Sequence, residues 1–170
     1  MYETAIAYFS RTGHTKRVAE LLAKRLDARI IAVVETVNRR GIFGYLRSAI
    51  EALRHSKPEV IHENFQPERH RLVLIGTPVW AGRTSSPIRA FVHSQDWSRC
   101  ELAFYCTMGG SGGDRVFEEL QQMTGRKPIA TLALTDADVD AGQIDQQLDG
   151  FCTAIQAWVP KFEFSVALND

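Results

Sequence analysis

Five apolar runs along this chain are each followed by a stretch in which apolar and polar positions alternate at helical spacing. The first, Thr4 to Phe9 (TAIAYF), has the length and continuity of a strand buried on both faces. From His14 to Leu26 the apolar positions Val18, Leu21, Leu22 and Leu26 return at intervals of one helical turn, with Lys16, Arg17, Glu20, Lys24 and Arg25 between them. That pattern predicts a surface helix lying on a sheet. A second strand, Arg29 to Val34, carries the β-branched run IIAVV. Asn38 to Lys57 then sets Phe43, Leu46, Ile50 and Leu53 among Arg39, Arg40, Arg47, Arg54 and Lys57, which predicts a basic amphipathic helix from Phe43 to Arg54. The alternation continues with a strand Leu72 to Ile75 and helix Pro87 to Val92, a strand Leu102 to Cys106 and helix Asp114 to Met123, and a strand Ile129 to Leu134 and helix Gln143 to Trp158. Pro160 is expected to stop the last helix, and the strand-like FEFSV of the tail has no evident partner.

Strands separated by helices pair in parallel, because a parallel neighbour needs a crossover connection, and a parallel sheet is covered on both faces. The expectation is one α/β domain over residues 1–170, with the basic helix as an insert after the second strand.

Charge and composition narrow the partners. Lys plus Arg and Asp plus Glu both number 20, so the net charge is zero and no overall field attracts nucleic acid. No apolar run reaches the 18 or so residues of a membrane span, and MYETAIAYFS has no basic region ahead of its short apolar run, so the expectation is a cytoplasmic protein. Cys100, Cys106 and Cys152 form no CxxC pair and read as reduced, buried thiols. His55, His62, His70 and His93 have no metal-ligand spacing, and no metal is assigned.

Right-handed crossovers bring the loops after the first, third and fourth strands to one edge of the sheet. In open α/β sheets ligands bind outside the carboxyl ends of the strands, where strand order reverses. The first loop, Ser10 to Thr15, places three hydroxyls and Gly13 at a helix start. It reads either as a capped helix or as an anion cradle of backbone amides and hydroxyl donors. Neither GxxxxGK[ST] nor GxGxxG after the first strand occurs, which disfavours a triphosphate or a dinucleotide. The second loop, Thr77 to Ser86, sets Trp80 among turn formers, where its flat face suits a planar ligand or the core. The third, Thr107 to Asp114, is rich in glycine and lets backbone approach a ligand, or is simply a flexible connection.

Ser10-Arg11-Thr12-Gly13-His14-Thr15 matches [ST]-x-T-G-x-T, and with GTPVWAG and CTMGGSGG it resembles the flavodoxin-like family over about residues 3 to 159. The resemblance implies a three-layer α/β/α sandwich with strand order 2-1-3-4-5 and FMN as cofactor. It implies that Ser10, Thr12, Gly13 and Thr15 hold the FMN phosphate, with Arg11 and His14 supplying loop amides. Pro78, Val79, Trp80, Ala81 and Gly82 would border the isoalloxazine. Thr107, Met108, Gly109, Gly110 and Ser111 would approach its pyrimidine side, with Gly112 and Asp114 at the far end of the loop.

The sequence departs from many electron carriers of that family in two ways. Its third loop has no aromatic residue to cover the second flavin face, and its charge is neutral where carriers are commonly acidic. One expectation is therefore an FMN protein passing electrons from a donor to a protein or small-molecule acceptor. The other is an NAD(P)H-dependent quinone or flavin reductase using the open face. An anion-binding regulatory domain without flavin ranks below both. The basic insert suits burial against the body, a subunit contact, an acidic partner or peripheral contact with a membrane surface. Monomer and homodimer both stay open.

Overall fold

A computed structural model describes residues 4–35, 60–61 and 65–166, with backbone only for 35, 60, 61 and 159–166. Its strands are β1 (Thr4–Tyr8), β2 (Arg29–Ala32), β3 (Val34–Glu35), β4 (Val60–Ile61), β5 (Leu72–Trp80), β6 (Arg83–Thr84), β7 (Glu101–Met108) and β8 (Thr131–Thr135). The helices are α1 (His14–Leu26), α2 (Ser86–His93), α3 (Gly113–Thr124), α4 (Asp136–Ala141) and α5 (Asp145–Val166). The main sheet runs β2-β1-β5-β7-β8 with every neighbour parallel, the expected order 2-1-3-4-5, and β6 adds a sixth strand antiparallel to β5. β3 and β4 pair separately as a two-stranded ribbon.

Alternation along the central strands divides the core into two. Ala5 and Ala7 of β1 and Phe9 just after it face one side, with Ile31, Val73, Ile75 and Phe104, and are covered by Ile88 and Phe91 of α2 and by Val116 and Leu120 of α3. Ile6 and Tyr8 face the other side, with Leu74, Ala103, Tyr105 and Leu132, and are covered by Val18 and Leu22 of α1 and by Leu148 and Ile155 of α5. A central side chain such as Leu74 is wholly buried, so its truncation to alanine is expected to cost about 2–5 kcal/mol. Helices on both faces and a parallel sheet between them make the α/β/α sandwich expected from the sequence.

Four local expectations are corrected. β5 does not stop at Ile75 but continues through Trp80, and the chain turns at Ala81 (φ 50°) and Gly82 (φ 70°) into β6. Two consecutive positive φ values are those of the turn that matches the natural twist of a two-residue hairpin. The second loop is therefore largely a hairpin extension of the sheet. A short helix, α4, precedes the last long helix. α5 passes Pro160 and ends at Val166, so FEFSV is helical and not a strand. A proline removes a single intrahelical hydrogen bond, while continuing an existing helix costs far less than starting a new element with no partner. The second predicted strand is split, with Val34 belonging to β3. The predicted basic helix, Phe43 to Arg54, lies outside the described residues. No helix among the described residues is long and apolar enough to cross a membrane.

Candidate functional site

The carboxyl ends of β1, β5 and β7 lie side by side in register, Tyr8 beside Gly76 and Pro78 beside Thr107. The three loops of interest leave the sheet from these ends. The reversal of strand order falls between β1 and β5, where a crevice is expected.

Loop one begins at Ser10 and enters α1 through Gly13, whose φ of 107° is left-handed and suits glycine. The Gly13 amide donates to Ser10 Oγ at 3.1 Å, so Ser10 shapes the loop. The Arg17 amide donates to the Gly13 carbonyl, the first bond of the helix. The amides of His14, Thr15 and Lys16 have no acceptor among the described residues, as at any helix start. A Cβ placed on Gly13 would meet nothing within 4 Å, so the side of this turn away from the body is open. Thr12 is exposed, whereas Thr15 is buried and its hydroxyl shares a 2.8 Å hydrogen bond with Thr107 Oγ1 of β7. Thr15 thus fastens loop one to the root of loop three. Beneath it, the fully buried Tyr105 donates from Oη to the Thr15 carbonyl at 3.4 Å.

The hairpin of loop two carries Trp80 at its tip. Trp80 is 5% exposed, its ring edge-on to Phe9 with centroids 5.5 Å apart, and the Arg11 guanidinium lies 5.8 Å from its centroid. Arg11 therefore bridges loop one to loop two. Pro78 and Val79 are half-buried, Ala81 is exposed and Gly82 is half-buried. Glu119 of α3 holds the hairpin from below, accepting from Arg83 Nη1 at 2.8 Å and from the Thr84 amide at 2.9 Å. Thr77 Oγ1 accepts from the Ser85 amide and shares a further hydrogen bond with Ser85 Oγ, both within the buried return of the hairpin.

Loop three leaves β7 at Met108. Gly109, Gly110 and Ser111 are exposed, and a Cβ on either glycine would meet nothing within 4 Å. Gly112 (φ 105°) closes on loop two, where an added Cβ would stand 3.0 Å from Val79 Cγ1 and 3.1 Å from Gly82 Cα. Asp114 is exposed in the first turn of α3. Cys106, below the loop, is buried, and burial with Asp114 nearby pushes its thiol up to about 12. It is a packing residue and not a nucleophile.

The eighteen positions named from the sequence thus sit on three loops that touch one another through Arg11 and Trp80, Thr15 and Thr107, and Gly112 and Val79. Sequence reasoning missed the residues that brace them: Gly76, Tyr105, Glu119, and the α4 carboxylates Asp136 and Asp140, which flank His14. One signal for α4 was present, since Thr135-Asp136-Ala137-Asp138 is a hydroxyl followed three residues later by an acid, and Thr135 does cap Asp138. A cleft of about 450 Å³, lined by Arg69, Arg71, Arg99, Glu101, Arg126 and Trp158, opens at the amino ends of β5 and β7, away from the three loops.

A family model described as Flavodoxin matches residues 3–143. A flavoprotein from Lactobacillus acidophilus NCFM, solved in complex with FMN, is 26% identical, with a TM-score of 0.68 over 83% of this chain and 98% of its own. The apo-form of the flavoprotein from the same organism is 24% identical, with a TM-score of 0.61 over 82% of this chain and 96% of its own. A candidate flavoprotein from Bacteroides uniformis ATCC 8492 is 24% identical, with a TM-score of 0.72 over 82% of this chain and 94% of its own. No curated protein matches the chain.

Proposed function

The chain belongs to the flavodoxin family, and from that premise we propose that it binds FMN at the carboxyl edge of its sheet and relays electrons through it from a reduced donor to a protein or small-molecule acceptor. The observation that carries the reading is the joining of the three loops around an open glycine turn whose first helix amides have no acceptor among the described residues. Such a turn fits a phosphate, since the unpaired N–H groups and the helix dipole both favour an anion. It has no lysine of the kind that attends triphosphates.

In this reading the amides of His14 to Lys16 and the hydroxyls of Ser10 and Thr12 hold the phosphate, while Thr15 keeps the turn in register with β7. Arg11 compensates charge from the Trp80 side. The hairpin from Pro78 to Gly82 borders the ring system on one side, and Thr107 to Gly112 approach it with backbone on the other, with Asp114 at the rim. Bound FMN supplies the redox chemistry, and the protein binds, orients and tunes it. No side chain is required as a nucleophile.

One observation favours a reductase as the second reading. Gly109, Gly110 and Ser111 are exposed with open space above both glycines, and no aromatic residue lies between Thr107 and Asp114. A nicotinamide or quinone ring has room at such a surface. Anaerobic stopped-flow mixing of the FMN-loaded protein with NADH or NADPH tests the two readings. A relay predicts no bleaching by either nucleotide but full reduction by dithionite and reoxidation by an added acceptor. Rapid bleaching by a nicotinamide assigns the reductase, and a flavin that dithionite cannot reduce reversibly contradicts both.

A further inference from the structure

His14 is the first residue of α1 and the only ring of loop one that reaches another element. Its Nε2 stands 3.0 Å from Asp140 Oδ1, its Nδ1 is 3.6 Å from Asp136 Oδ1, and Nδ1 hydrogen-bonds Thr12 Oγ1 at 2.8 Å. A carboxylate only accepts, so Asp140 requires the hydrogen on Nε2. In the neutral ring Nδ1 then accepts from the Thr12 hydroxyl. In the protonated ring it becomes a second donor, facing Thr12 and Asp136.

Two electrostatic effects act against this placement, one on a charged ring and one on a bound anion. A cation at a helix N-terminus opposes the dipole. Two carboxylates beside an anion cradle repel the anion, and a phosphate ester carries between one and two negative charges near neutral pH. Both conflicts are relieved when the ring is charged and the phosphate is present, because the imidazolium then stands among three negative groups.

The remaining charges around the ring do not substitute for it. On α4, Asp138 is turned back to Thr135, accepting from its hydroxyl at 2.6 Å. On α1, Lys16 pairs with Glu20, and Arg17 crosses to the C-cap of α4, its Nη2 3.8 Å from the position a Cβ would take on Gly142. In loop one, Arg11 is over Trp80, and at loop three Asp114 adds a further negative charge in the first turn of α3.

We propose that His14, held between Asp136 and Asp140, is a proton-linked positioning residue: binding of a phosphate at loop one takes up a proton at His14, and this uptake discriminates phosphorylated from unphosphorylated flavin. The inference rests on the flavin reading of the site. Its sign is fixed by linkage. If the bound state holds the proton more tightly than the free state, affinity is greatest at low pH and declines as pH rises, by at most about tenfold per pH unit for one proton. Below about pH 6 the second ionisation of the phosphate itself intervenes, so the clean window lies above about pH 7.

The test is calorimetric titration of the full chain with FMN at pH 7.5, in buffers of differing ionisation enthalpy, together with FMN dissociation constants from pH 7 to 9. The expected result is fractional proton uptake on binding and weaker binding at higher pH, with both effects abolished in His14→Gln and reduced in Asp140→Asn. FMN binding with no proton uptake, or with the same uptake in His14→Gln, overturns the inference while leaving the flavin reading standing. FMN that fails to bind at any pH overturns the flavin reading and the proton linkage with it.

Discussion

Gly76 is a small residue in the middle of the longest strand, and replacing it with alanine is a direct probe of how the site is braced. It lies on β5 between Tyr8 of β1 and Tyr105 of β7. A Cβ there would stand 2.0 Å from Tyr105 Cζ, 2.2 Å from its Oη and 2.5 Å from its Cε1. The ring would have to retreat by well over 1 Å to reach ordinary contact, and it is wholly buried. Overpacking of this kind costs about 1–3 kcal/mol, and displacing Oη from the Thr15 carbonyl adds about 1 kcal/mol. Gly76→Ala is therefore expected to destabilise by about 2–4 kcal/mol, read as a lower urea midpoint by far-ultraviolet circular dichroism. The cycle with Tyr105→Ala separates clash from backbone effects, because removing the ring removes the clash. The double variant should be less destabilised than the two single losses combined by about 2 kcal/mol. A Gly76→Ala protein within about 0.5 kcal/mol of the parent, or an additive double variant, would refute the bracing role of Tyr105.

Three further outcomes follow from the same contacts. Thr107→Val leaves the Thr15 hydroxyl buried without its partner, so stability should fall by about 1–3 kcal/mol and FMN should bind more weakly, as measured by urea titration and flavin fluorescence. Glu119→Gln weakens the support of both Arg83 and the Thr84 amide, so amide hydrogen exchange of the β6 hairpin should accelerate while that of β1 stays unchanged. Cys100 and Cys106 are each pushed by burial from the usual thiol range up to about 12. The unfolded thiols ionise first, so stability is full below about pH 8.5 and should decline from there towards pH 12. Replacing Cys106 with Val should flatten part of that decline, and identical slopes would count against the assignment.

The parts of this molecule legible in its sequence are those governed by local periodicity. α1 has the bounds its apolar spacing predicts, and the alternation of strands and helices predicts the parallel pairing of the main sheet, while its order 2-1-3-4-5 is what the resemblance to the flavodoxin-like family implies. The far half of β5 was hidden because glycine and proline are depleted in strands. Gly76 is accommodated because Tyr105 fills the space its side chain would take, and Pro78 because β1 has already ended, leaving that flank of β5 without a parallel neighbour. The turn at Ala81 was hidden because alanine seldom adopts a positive φ, and it is held there by the pairing of Val79 and Trp80 with Thr84 and Arg83 and by Glu119 beneath the return strand. Among the site residues, those of the chain's own loops were legible as hydroxyl and glycine patterns. The residues that reach them from elsewhere, Asp136, Asp140, Tyr105 and Glu119, are brought in by topology, which local spacing does not encode.

The central claim is that loop one holds the phosphate of a bound flavin. Fluorescence titration of the purified chain with FMN and, in parallel, with riboflavin tests it most directly. The account predicts saturable binding of one FMN per chain, much tighter than riboflavin, with the difference sharply reduced in Thr12→Ala. No saturable binding of FMN, or equal affinity for FMN and riboflavin, would contradict it.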